Sequence, residues 1–236
     1  MHYRALDPGS IILTAETLEQ RVAERFPDAG LRRVAAELVS LSRDIAAAAG
    51  ALEAPVRWVR PLVWAVVVLG LVILAFVAAS LSYDRISTGA FDFVQGIEAV
   101  MNTLLLAGLG LLTLVRWEER IKRKRVFKGL HGLRSVIHVI DMHQLTKDPA
   151  TFSSPLQPTA HSPKRTLSPA ELSRYLDYCS EMLSLTGKLA ALYAQSVNDN
   201  VVVEAVNDIE SLASNLSRKI WQKIVMIEGQ SGKAGV

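Results

Sequence analysis

A single cysteine in 236 residues, Cys179, excludes an intrachain disulfide framework and suits a reducing compartment, where it reads as a small core residue. Strand-like alternation of apolar and polar residues is missing, and no repeat recurs beyond heptads, so an all-α fold is expected. The signatures of common catalytic sites are missing too. There is no phosphate-binding glycine loop, no Cys-x-x-Cys, no His-Glu-x-x-His and no Gly-x-Ser-x-Gly. The Thr-Val-Gly-Tyr-Gly filter of potassium channels is likewise absent. Nothing points to an enzyme, and neither a catalytic residue nor a cofactor nor a metal is expected.

Charge is what two long stretches lack. Pro61 to Tyr83 runs 23 residues without one charged side chain. At the α-helical rise this spans roughly 34 Å, enough to cross a hydrocarbon layer of about 30 Å. Ala99 to Val115 adds 17 uncharged residues a short loop downstream, so the two stretches predict a transmembrane helical hairpin. The first run begins far from Met1, which favours an internal anchor over a cleaved leader. Outside the runs nearly 200 residues remain, enough for a domain with its own core.

Net charge is only +3, but its distribution is uneven. A basic collar of Arg116, Arg120, Lys122, Arg123, Lys124, Arg125 and Lys128 follows the second run, against Glu118 and Glu119, and Arg57 and Arg60 precede the first. Asp84, Asp92 and Glu98 mark the opposite end. Lysine and arginine excess on one side predicts that both termini face the cytoplasm of a multi-pass inner-membrane protein. Trp58, Trp64 and Trp117 at that side, and Tyr83, Phe91 and Phe93 at the other, fit interfacial aromatic belts.

In chain order, residues 1–56 carry N-terminal cytoplasmic helices: a loose head, a short helix from Ile11 to Phe26, and a longer one capped by Asp28. In the longer helix Leu31, Val34, Leu38, Leu41, Ile45, Ala48 and Leu52 recur at steps of three and four. The first span (57–83), a short outer loop (84–96) and the second span (97–116) follow. Small residues Gly96, Ala99, Thr103, Ala107 and Gly110 in the second, and Ala75, Ala79 and Ser82 in the first, suggest close helix approach. A basic juxtamembrane helix (117–147) keeps the heptad through Val126, Leu130, Leu133, Ile137, Ile140 and Gln144. Residues 148–168 read as a flexible linker rich in proline, serine and threonine. Ser168-Pro169-Ala170-Glu171 is a helix start with a capping box, opening a helical hairpin (169–228) before a disordered tail (229–236). Its seams run through Leu172, Leu176, Cys179, Leu183 and onward, break at Asn198-Asp199-Asn200, and largely resume through Val202, Val206, Ile209, Ala213, Leu216, Ile220, Lys223 and Ile227. Four helices of similar length predict a four-helix bundle or a coiled-coil arrangement shared between subunits.

Two groups of polar residues stand out. His131, Arg134, His138 and Asp141 form a row beside the apolar seam and predict a hydrogen-bonded network that fixes helix register. A metal would need more, since His131 lies two turns from His138, about 10 Å away, and His143 faces elsewhere. Glu98 and Asn102, one turn apart near the outer end of the second span, are candidates for an ion pathway, which would require an oligomer. The collar beside a span is a topology signal and a contact for anionic lipid headgroups, not a nucleic-acid patch.

The expected function is a membrane-anchored helical bundle that drives homo-oligomerisation or docks a cytoplasmic protein partner, without catalysis. The alternative is an oligomeric ion channel or membrane effector gated by that bundle.

Overall fold

The computed structural model describes residues 5–53, 59–83, 90–149, 159–162 and 166–231. Arg57 and Trp58, the residues 84–89 of the outer loop, most of the expected linker and the last five residues lie outside this set. The regular structure is helical: α1 (Pro8–Arg25), α2 (Gly30–Glu53), α3 (Val59–Tyr83), α4 (Ala90–Leu145), α5 (Pro169–Ser196) and α6 (Asn200–Ser231). No strand occurs among the described residues. Met1–Glu53 with Arg125–Val236 form one compact unit and Ala54–Lys124 a second.

Local side-chain chemistry sets where the helices of the first unit begin. The Asp7 carboxylate accepts from the Ser10 amide at 2.8 Å and from its hydroxyl at 2.6 Å, with Pro8 in the first turn. The part of the expected loose head from Asp7 onward is therefore a built helix start, because aspartate takes an orphan amide and proline has none to offer. Those bonds hold the Asp7 carboxyl below its usual range. Asp28 does not cap α2. Ala29 N–H closes a turn onto the Phe26 carbonyl, so α2 starts one residue later than a cap at Asp28 needs. At α5 the reciprocal box forms as the sequence suggests: Ser168 Oγ accepts from Glu171 N, and Glu171 Oε2 accepts from Ser168 N at 2.8 Å. Asp199 turns the chain into α6 by accepting from Val201 and Val202 amides.

The three-four seams become the core of this unit. Leu31, Val34, Leu38, Ile45 and Leu52 of α2 are buried, as are Val126, Leu130, Leu133, Ile137 and Ile140 of α4. In α5 burial widens to most of the circumference, with Tyr175, Tyr178, Met182, Leu189 and Leu192 joining the seam, so α5 is the central helix. It packs on α6, α2 and α1. The expectation of four helices is corrected to five, because α1 buries Ile11, Ala15, Leu18 and Val22 along one face and packs on α2 and α5. Each such buried aliphatic side chain contributes about 1.5–3 kcal/mol.

The second unit has the opposite character. Its helices, α3 and residues 90–124 of α4, leave nearly all their large apolar side chains exposed: Phe76 at 73%, Leu106 at 71% and Trp64 at 67% are examples. Among the described residues of this part of α4, one line is partly covered, through Gly96, Val100, Thr103, Ala107, Gly110 and Leu114. Opposite it on α3 lies Gly70, where an added methyl would meet Ala107 Cβ at 4.0 Å. Of the small-residue stripe expected on the second run, Gly96, Thr103, Ala107 and Gly110 are thus on the covered line, but Ala75 and Ala79 of the first are exposed; the side chains of Ala99 and Ser82 lie outside the described set. Glycine wins because, of the small residues, it brings the backbones nearest. By length and composition one helix, within α4, is long and apolar enough to cross a membrane; the apolar helical stretch Pro61–Phe76 in α3 is shorter.

Candidate functional site

Where α4 meets α6, the first unit's core carries a polar layer. Gln144 sits at a seam position of α4 and is 3% exposed. Its amide nitrogen donates to Asp141 Oδ1 at 2.6 Å, and Lys223 of α6 donates from Nζ to Gln144 Oε1 at 2.5 Å and to its main-chain carbonyl at 3.1 Å. Lys223 is half-buried, and burial pushes its ammonium below the usual range, while Asp148, Asp141 and Cys179 pull the other way. Cys179 is wholly buried, and burial pushes its thiol up to about 12, against the nearby Lys223 and Lys147 charges. The layer ties α4 to α6 in one register, since sliding either helix by a turn would leave an amide or an ammonium unpaired in the core.

A second feature is a cleft of about 470 Å³ where α1, α2, α4 and α5 converge, lined among others by Arg25, Asp28, His143, Lys147, Glu171 and Tyr175. Gly30 opens α2 directly beneath His143: a methyl there would lie 2.5 Å from the imidazole Cε1. Tyr175 Oη stands 3.5 Å from His143 Nδ1, a long contact for a hydroxyl. The Tyr175 ring meets Phe26 edge-on at 5.4 Å and carries the Lys147 ammonium over its face at 5.3 Å. Burial lowers the His143 pKa, and the Arg33 and Lys147 charges lower it further. The ring accordingly favours its neutral form more than a free imidazole does. Between α1 and α5, Arg21 holds Glu181 through two bonds of 2.8 and 3.0 Å and covers the Tyr178 ring at 5.1 Å.

The residues singled out by sequence fall apart into separate environments. His131, Arg134 and His138 are exposed on α4, and among the described residues no hydrogen bond or ion pair joins them to one another or to Asp141. Asp141 alone enters a network, the one with Gln144 and Lys223. The row lies on α4 beside the seam but on its solvent side, because Val136 and His143 widen the buried face in the other direction. In the second unit Glu98 and Asn102 are exposed. Of the collar, Arg116, Arg120, Lys124, Arg125 and Lys128 are exposed, Arg123 is half-buried, and Lys122 pairs with Glu118 at 3.2 Å. Trp64 and Trp117 are exposed, at 67% and 56%. Among the described residues no three His, Cys, Asp or Glu side chains come together to hold a metal.

What sequence reasoning missed is the partnership of Gln144 with Lys223 and the position of His143. Each of the first two is the lone strongly polar residue in its seam, and two such intruders on neighbouring helices are natural partners. His143 follows Gly129 and Val136 at intervals of seven, a flanking row that the two glycines, Gly129 and Gly132, make room for. No family model, curated protein or solved structure matches the chain.

Proposed function

We propose that the chain is an integral membrane protein whose second unit crosses the bilayer as a two-helix hairpin and whose first unit is a cytoplasmic helical bundle for self-assembly or partner docking, with no catalysis of its own. One observation carries this reading. The second unit presents leucine, valine and phenylalanine around most of its circumference, and none of its most apolar window is buried. A water-facing helix pair of that composition would expose an apolar area far above what monomeric soluble proteins leave bare, whereas hydrocarbon is its matching solvent. α3 runs 25 residues in all, about 37 Å at the helical rise, and that length supports a second crossing alongside α4.

The collar supports the orientation. Five of its seven cations are exposed and free to meet anionic headgroups, and the exposed Trp64 and Trp117 suit the same interface. The first unit fits a docking role because its polar layer sits inside while His131, Arg134 and His138 remain available outside. Single cysteines added at Met1 and at Val236, labelled with a membrane-impermeant maleimide in intact and opened vesicles, test the topology; Cys179 is buried and stays silent. Both termini protected to the same degree is the expected outcome. Opposite protection would refute the hairpin, and a monomeric mass in mild detergent, together with no protein retained from cytoplasm, would refute the docking role.

A further inference from the structure

The exposed face of α6 has an internal symmetry that the core does not require. Between Val201 and Val225 the exposed acids, Glu204 and Asp208, precede the exposed bases, Arg218 and Lys219. The exposed large apolar residues of α6 stand only at the two ends: Val201 and Val203 at 43% and 39%, then Trp221, Val225 and Met226 at 53%, 60% and 46%. One stripe at steps of three and four, Val201, Glu204, Asp208, Ser211, Asn215, Arg218, Gln222 and Val225, is exposed throughout. Asp208 and Arg218 have no ion-pair partner among the described residues.

From this pattern we infer that α6 pairs with α6 of a second copy, antiparallel about a two-fold axis, an inference that rests on the assembly reading above. With the axis midway between Ser211 and Asn215, Asp208 faces Arg218 of the other copy, twice by symmetry. Glu204 then faces Gln222, the small polar Ser211 and Asn215 face each other at the centre, and Val201 meets Val225 at both ends. The apolar ends, about 36 Å apart along the helix, close on one another. A parallel pairing would set acids on acids and bases on bases, which is unfavourable at matching positions. The interface is isologous, the same stripe used by both partners. Exposed ion pairs are each worth little in water, so the contact is weak and its extent rises with protein concentration.

Charge reversal in the full chain, purified in mild detergent, tests it by sedimentation equilibrium, with Cys179 protection as the check that each variant is folded. Asp208→Arg and Arg218→Asp are each expected to weaken dimerisation by about tenfold or more, since each sets two like pairs face to face. The double variant is expected to return to within about threefold of wild type. A double variant as weak as either single one overturns the pairing. So do single variants that dimerise like wild type, an outcome that leaves assembly through another surface standing. A wild-type chain that is monomeric at every concentration overturns both this inference and the assembly reading.

Discussion

Replacing Gly129 with alanine places a methyl group on the buried face of α4 where Tyr193 of α5 already stands. The new Cβ would overlap the tyrosine hydroxyl and lie 2.7 and 2.8 Å from ring atoms Cζ and Cε2. Tyr193 is 2% exposed and its ring is rigid, so neither the side chain nor its surroundings yield cheaply. Overpacking of this depth belongs at the upper end of the usual range, about 3 kcal/mol. Alanine recovers about 1 kcal/mol through its better helix propensity, leaving a net loss of about 2 kcal/mol. The sole cysteine supplies the assay. Cys179 lies two heptads before Tyr193 on α5, is wholly buried, and has its thiol pushed up to about 12, so it reacts only when the core opens. When opening and closing are fast, the labelling rate follows the opening equilibrium. At about 1.4 kcal/mol per factor of ten, Gly129→Ala should speed maleimide labelling of the folded protein by roughly 30-fold. Adding Tyr193→Phe removes the worst overlap and should recover part of the loss. Labelling at the wild-type rate, or slower as propensity alone would give, refutes the close approach of α4 and α5.

The remaining expectations concern the two polar features. Because the folded His143 pKa is below the unfolded one, the unfolded chain takes up the proton first as pH falls. This group therefore leaves stability untouched above the ordinary histidine value and lowers it as pH drops through that value; His143→Gln should flatten the fall in thermal midpoint between pH 7 and pH 5, and an unchanged slope would contradict the assignment. In the core layer, Lys223→Met or Gln144→Leu alone strands a buried partner and should cost about 1–3 kcal/mol. The two together should cost less than the sum of the singles in a denaturant series, and strict additivity would show that the residues do not act as a pair.

The seams were legible because burial in a helical domain repeats every three or four residues, and every seam position named for α5 from Leu172 to Tyr193 is buried. Periodicity reveals which residues share a face, not how wide that face is. It therefore missed that α5 is buried on most sides and that α1 completes the packing as a fifth helix. The Ser168 box was readable since its bonds are local, three residues apart. Asp28 is not the cap of α2 because a cap depends on where the preceding turn ends, and at Phe26 that is set by contacts across the fold. The row from His131 to Asp141 shares a helix with the seam, yet spacing on one helix cannot state which flank neighbouring helices cover, and His131, Arg134 and His138 are exposed. Lys223 and Gln144 were visible as intruders, but their meeting depends on how α4 and α6 align, which only packing decides.

Whether the second unit resides in hydrocarbon is measured directly by alkaline carbonate extraction of cell membranes followed by sedimentation. The expected result is a chain retained in the pellet at high pH and released only by detergent, with deletion of the apolar residues of α3 and α4 sending the first unit to the supernatant. Full-length protein recovered in the aqueous supernatant without detergent would contradict it.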